Sequence, residues 1–459
     1  MADISVVPLD EISGSARWDA EYFQPGYKAL SAKLAAANPI PIGEFAFVTD
    51  GIHGSPEWVE EKGFTYLSAK CVKNNVFDLK SAGRISQAQH AANPRTQARL
   101  NDVLITTVGT VGNTAVVYAD ILPANMDRHL GIIRISQEAN VDPYYLSTFL
   151  NSKYGRFQTA RESTGNVQAN LFIDKIRSLL VPFGNYTNNV AKLTREAYEK
   201  YNQADSLYPE AEKELLERIG WCKLMKPTKN YYVEEFSELE ERERIDAEHF
   251  HPDYKRLCKH LSSIGADAIE TVCPFNKHGI QPPYVEDGKV PIVTQRQFRP
   301  TTLDMSAVEL FTDSSFTNEN PEFVLRKWDV LTYCVSAGVY LGQTNIYLED
   351  TPAVAASFVT ILRTAILNPA YLALFLNSSA GTLQSNALKR GTSPFYLYPR
   401  DLAKVLVFIP KNRNGQIDTE WQKKLADNVI RASKAKAEAQ AIMERAKKAV
   451  EDSIDSSAH

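Results

Sequence analysis

The sequence has little of what marks a membrane, secreted or fibrous protein. Its longest nearly unbroken apolar stretch, Ala353 to Leu362, is far short of the ~20 residues a membrane span needs. Its five cysteines (Cys71, Cys222, Cys258, Cys273, Cys334) are scattered and form no CxxC pair. That excludes a disulfide scaffold and reads as reduced thiols. The opening residues, MADISVVPLDEIS, carry neither the basic head nor the apolar core of a secretory signal, so the expected location is cytoplasmic. Hydrophobic residues at 44% and charged residues at 23% exclude a disordered or collagen-like chain. There is no large excess of one charge either. The net charge of −4 argues against a uniformly basic nucleic-acid binder.

What is present is a repeat. Residues 17–30, RWDAEYFQPGYKAL, match residues 244–257, RIDAEHFHPDYKRL, at nine of fourteen positions and an offset of 227. Asp102-Val103-Leu104 matches Asp329-Val330-Leu331 at the same offset. Residues 143–165 match 369–391 at ten of 23 positions, offset 226. The chain is two copies of one unit of about 227 residues.

Each copy has the same order. A short helix follows the RxDAExFxPxYKxL motif. A mixed region comes next, with strand-like runs at Val103–Val108, Thr114–Tyr118 and Gly131–Ile135, and at Val290–Thr294 and Thr344–Leu348. PxYLxxFLNS then has the i, i+3, i+4 spacing of an amphipathic helix. A last strand (Leu179–Phe183; Val405–Ile409) leads to a proline (Pro182; Pro410). A long charged helix closes each copy, over about 188–224 and about 419–455. The first has Val190, Leu193, Ala197, Tyr201, Ala211, Leu215, Ile219 and Cys222 on its apolar side, and Pro209 is expected to kink or break it. The second carries Leu425, Val429, Ala432, Ala439, Ile442, Ala446 and Val450 at seam spacing. A helix of such length needs a partner, and the other copy's helix, running antiparallel, is the natural one. The fold class expected is α+β: a tandem mixed domain, each copy followed by a long helix. The boundaries expected are 1–184, 185–240, 241–411 and 412–459.

This order of motifs resembles the specificity (S) subunit of Type I restriction–modification systems, over nearly the whole chain. The resemblance implies a non-catalytic subunit without cofactor. Its two target-recognition domains would each read half of a bipartite double-stranded DNA site, with a coiled coil between them. Partners implied are two adenine-methyltransferase subunits and motor-nuclease subunits. Two alternatives stay open: the specificity subunit of a related phage-defence methylation complex, and a coiled-coil scaffold with two protein-binding heads.

The residues themselves agree with a role without catalysis. No NPPY or NPPF loop for adenine methylation occurs; Gln281-Pro282-Pro283-Tyr284 reads as a turn. Gly109 to Thr114 lacks the lysine of a P-loop and reads as a hairpin turn. Pro252-Asp253-Tyr254-Lys255 reads as a helix start rather than a nuclease motif. His249 and His251 form HxH, but the other copy has Tyr22 and Gln24 there, so no metal site is expected.

Charge is unevenly spread. Segments 40–182 and 265–411 are near neutral (+1 and −1), and 185–243 carries −4, so any basic face must be made by folding. Base edges are read best by Arg or Lys on guanine and Asn or Gln on adenine. The expected DNA-contacting residues are His53, Lys70, Lys73, Asn113, Arg128, His129, Asn166 and Gln168 in the first copy. In the second they are His278, Gln295, Arg296, Gln297, Arg299, Lys389 and Arg390. The candidate loops differ between copies while the motifs agree. Asp19, Glu21, Phe23 and Pro25, with Asp246, Glu248, Phe250 and Pro252, are therefore expected to serve structure or partner docking.

Overall fold

The computed structural model describes residues 6–15, 17–60, 62–165, 169–225, 231–242, 244–336 and 341–457. The chain forms two units, Met1–Glu199 with Ala439–His459, and Lys200–Glu438.

In the first unit, β-branched runs become a four-stranded antiparallel sheet in the order Ala46–Asp50, Leu130–Ile135, Val103–Thr106, Thr114–Val116. Val103–Thr106 is buried at all four positions, as a central strand of Val, Leu, Ile and Thr should be. A smaller sheet has the order Gly83–Ile85, Phe64–Leu67, Ala124–Met126, the last pair parallel. The helix Pro143–Asn151 starts with proline in its first turn and Asp142 as its cap. It buries Tyr145, Leu146, Phe149 and Leu150, each such side chain contributing about 1.5–3 kcal/mol.

The second unit repeats the larger sheet strand for strand and has one strand more in the smaller. Phe275–His278, Val359–Arg363, Val330–Tyr333 and Thr344–Ile346 form the larger sheet in the same order and sense. Phe311–Thr312, Val290–Val293, Ala353–Ala355 and Val324–Leu325 form the smaller, with Val290–Val293 and Ala353–Ala355 again parallel. The helix Pro369–Asn377 takes the place of Pro143–Asn151.

The buried polar pairs are duplicated too. Arg134 grips Asp102 with two hydrogen bonds of 2.9 and 2.7 Å, and Arg363 grips Asp329 at 2.8 and 2.9 Å. Asn151 takes both backbone groups of Thr114, at 3.1 and 2.9 Å. Asn377 does the same to Thr344, at 2.8 and 2.6 Å.

The two long helices are Thr187–Arg218 and Thr419–Ser457. They pack together and run antiparallel. Within the second unit Lys436 pairs with Asp205, Lys424 with Glu214 and Arg218 with Asp418, so one chain climbs as the other descends. Every seam residue expected in the C-terminal helix is buried.

The central helix departs from expectation in two ways. It runs through Pro209 without a break. Asp205 and Pro209 lie on its exposed side, where water can meet the carbonyl that proline leaves without a donor, while Ala204, Tyr208 and Ala211 stay buried. It also stops earlier. Arg218 is its last residue, Gly220 takes a left-handed φ of 72°, and a separate short helix, Trp221–Leu224, follows. Cys222 is therefore exposed rather than on the seam. Among the described residues no helix is long and apolar enough to cross a membrane.

Candidate nucleic-acid interface

Strand register decides which loops meet. Ala46–Asp50 ends where its antiparallel neighbour Leu130–Ile135 begins. There Ile52 N–H donates to Met126 O (2.7 Å), Arg128 N–H to Ile52 O (3.1 Å), and Asp127 N–H to Leu67 O (3.0 Å). The loops after residues 50, 67 and 126 are thus stitched together at one end of the first unit. Gly51 makes this possible, because a Cβ there would lie 2.1 Å from Asp127 O. The second unit has the same stitching. Gly279 N–H donates to Val359 O (2.8 Å) and Ala356 N–H to Val293 O (2.9 Å), and a Cβ on Gly279 would lie 2.1 Å from Ala355 O.

Counting along the paired strands matches the loops residue by residue. Asp50 corresponds to His278, His53 to Gln281, Lys70 to Arg296, and His129 to Phe358. The backbone is shared and the tips differ.

In the first unit Lys70, Lys73 and Arg128 are exposed. His53 is exposed and its Nε2 lies 2.5 Å from Asp50 Oδ2; Arg95 joins the same carboxylate at 3.1 Å. His129 Nδ1 sits 3.2 Å from Asp127 Oδ2. Asn113 is turned inward, accepting from Arg156 Nη2 at 2.5 Å. Asn166 and Gln168 lie outside the described residues. Among the described residues, Leu171 N–H donates to Thr107 O (2.9 Å) and Thr107 N–H to His129 O (3.0 Å).

In the second unit Gln295 and Arg296 are exposed, and Arg296 pairs with the equally exposed Glu309. Gln297 is 2% exposed. Its Oε1 accepts from Thr294 N–H (2.8 Å) and its Nε2 donates to Ala307 O (2.7 Å), a capping box that uses both ends of the amide. Arg299 is tied to the buried Asp304 at 2.7 Å. Arg390 grips the buried Asp401 at 2.9 and 3.0 Å, and that hydrogen-bonded carboxylate raises the guanidinium's pKa further. Lys389 sits 4.3 Å over the Phe395 ring. His278 is half-buried against Thr360 (Nδ1 to Oγ1, 3.0 Å), and burial lowers its pKa.

The shared motif builds a clamp. Arg17 Nε and Nη2 each lie 2.6 Å from a carboxylate oxygen of Asp19, and Nη2 also donates to Ser163 O (3.3 Å). Arg244 grips Asp246 at 2.8 and 2.5 Å and donates to Lys389 O at 2.6 Å. The Arg17 hydrogen bond holds the Asp19 carboxyl below its usual range. Pro25 and Pro252 open the helices Pro25–Ala36 and Pro252–Ser263. Phe250 is buried and Phe23 half-buried, whereas Glu21 and Glu248 are exposed. His249 is buried with Nδ1 3.0 Å from Ala387 O, and His251 caps its helix. Among the described residues no three His, Cys, Asp or Glu side chains stand close enough to hold a metal ion.

Sequence reasoning missed Arg95 and Phe358. Arg95 reaches the loops from a separate helical turn, Pro94–Thr96. Phe358 is 48% exposed inside what reads as an apolar strand. The only signal for either is the strand register.

No family model matches the chain, and no curated protein does. Solved structures match it along nearly its whole length. The Type-I restriction–modification system S subunit from M. genitalium is 15% identical with a TM-score of 0.43, over 92% of this chain and 95% of that one. A structure on complex assembly and conformational transition of the type I R-M system is 18% identical (TM-score 0.30; 91% and 97%). The HsdS subunit from Thermoanaerobacter tengcongensis is 17% identical (TM-score 0.28; 91% and 96%).

Proposed function

We propose that this chain is a non-catalytic DNA-specificity subunit. Each unit reads one half of an asymmetric, two-part double-stranded DNA site, and the chain directs adenine-methyltransferase and motor-nuclease subunits to it. One observation carries the reading: a single scaffold is built twice, and the loops stitched to one end of it differ in the side chains suited to base edges. The first unit offers His53, Lys70 and Arg128 there, and the second Gln281, Gln295 and Arg296. Lys and Arg suit guanine and Gln suits adenine, so two different half-sites follow. Opening the Arg296–Glu309 pair costs little, since both partners are exposed. Gln297, Arg299 and Arg390 act behind them, holding the loops in shape.

The units are near neutral, so part of the phosphate contact falls to the partner subunits. The paired helices act as a spacer whose length sets the unread base pairs, one DNA turn being about 34–36 Å. The test is the methylome of a cell expressing the chain with its methyltransferase and motor subunits. A single two-part motif with a fixed gap is expected. Absence of any two-part motif points instead to a scaffold with protein-binding heads. Methylation or cleavage by the purified chain alone overturns the non-catalytic reading.

A further inference from the structure

A serine inside a helix ordinarily turns its hydroxyl back on the carbonyl four residues before it. In the helix Thr419–Ser457, Ser453, Ser456 and Ser457 do so, at 2.7, 2.7 and 2.9 Å. Ser433 does not. Its hydroxyl leaves the helix and donates to Thr302 Oγ1 at 2.9 Å. Both residues are 6% exposed, so the bond is shielded from water.

Thr302 belongs to a two-stranded hairpin, Phe298–Arg299 with Thr302–Leu303, where it stands opposite Arg299. Arg299 Nη1 donates to Arg296 O at 2.7 Å, and its Nη2 donates to the buried Asp304 at 2.7 Å. Asn345 Nδ2, on the edge strand of the larger sheet, donates to Arg299 O at 3.0 Å. The hairpin therefore has two polar supports, one on its own sheet and one on the long helix. Arg296 is presented by backbone that answers to both.

The first unit has the same hairpin, tied differently. Val72 bridges Phe77, and these stand 226 residues before Phe298 and Leu303. Val76 takes the place of Thr302 and has no hydroxyl to offer. Asn75 anchors that turn within its own domain. Its Oδ1 accepts from Ser147 Oγ (2.7 Å) and Asn151 Nδ2 (2.8 Å), and its N–H donates to Thr114 O (2.8 Å). In the helix Thr187–Arg218 the buried Thr194 hydroxyl meets that of Thr148 at 2.7 Å, not the hairpin.

We propose that Ser433 is a positioning residue for Arg296. It ties the reading loop of the second unit to the C-terminal helix, so that helix helps set the base preference of the second half-site and leaves the first alone. The path is Ser433 to Thr302, across the hairpin to Arg299, and from its guanidinium to the Arg296 carbonyl. The inference rests on the specificity-subunit reading, with Arg296 at a base edge.

The experiment assembles the full chain with its methyltransferase subunits and selects sites from a random double-stranded DNA library. Ser433→Ala should lower the preference for the favoured base at the position Arg296 reads by about three- to ten-fold, the worth of one buried hydrogen bond. The first half-site should be unchanged. Thr302→Val removes the same bond from the other side and should give the same profile. Thr302→Ser keeps the hydroxyl and should keep the wild-type profile. In an Arg296→Ala background, Ser433→Ala should add no further loss, which a merely structural role would not produce. Wild-type profiles for both Ser433→Ala and Thr302→Val overturn the inference, even where their unfolding midpoints fall. So does equal blurring of both half-sites, or a further loss beyond Arg296→Ala. Each of these leaves the specificity reading standing. A wild-type assembly that selects no two-part motif overturns both.

Discussion

The two units share their sheets, their clamps and their buried ion pairs, and part company at the loop tips. At one register position the first unit has Asp50, bridging His53 and Arg95, and the second has His278, half-buried against Thr360. At another it has the exposed Lys70, where the second has Arg296 beside Glu309. What is constant holds backbone; what varies faces outward. The difference teaches that recognition can be rewritten at the tips while the buried polar network is left alone.

That division is open to measurement. The largest effect belongs to the shared network. Asp102→Ala and Asp329→Ala each strand a partly buried arginine, and each should cost about 3–5 kcal/mol by denaturant unfolding. A loss in one unit without the other would show that the two scaffolds are not energetically alike. Next come Gly51→Ala and Gly279→Ala, whose new Cβ meets backbone oxygen at 2.1 Å. Each should cost about 1–3 kcal/mol and blur one half-site in a selection from random DNA, the other half-site staying sharp.

Smaller still, Lys70→Ala and Arg296→Ala should each relax one position in a single half-site by about 1–3 kcal/mol. Their unfolding free energies should move by no more than about 0.5 kcal/mol. Equal weakening on every sequence would reassign the residue to a phosphate. The smallest is a pH effect at His278 of the second unit. Burial lowers the His278 pKa, so the folded state favours the neutral ring. Its contribution is whole above pH about 6.5 and is lost as pH falls below that, because the unfolded chain takes up the proton first. The Tm of His278→Asn should therefore fall less than that of wild type between pH 7 and 5. Parallel slopes would remove His278 from the account.

Much of the scaffold is legible in the sequence, because periodicity and the repeat report on backbone and burial. The strand runs, the helix Pro143–Asn151 with its copy Pro369–Asn377, and the C-terminal seam all follow from spacing. Pro209 does not, since packing of Ala204, Tyr208 and Ala211 outweighs a local preference. The candidate interface is legible only as a set of loops. Gln295, Arg296 and Gln297 read alike in sequence, yet a capping box buries the third and leaves the first two out. Arg390 is equally suited to a guanine and to Asp401, and only the fold puts Asp401 beside it.

The asparagines of the two FLNS segments have a consequence for assembly. Thr114–Val116 and Thr344–Ile346 are edge strands. Asn151 and Asn377 occupy the N–H and C=O groups of Thr114 and Thr344, and the Tyr198 hydroxyl accepts from Val116 N–H at 2.8 Å. An open edge invites another strand, and a chain with two near-identical sheets carries its own wrong partner. A carboxamide standing in for that missing neighbour makes strand exchange between the copies, and the aggregation that would follow, unprofitable.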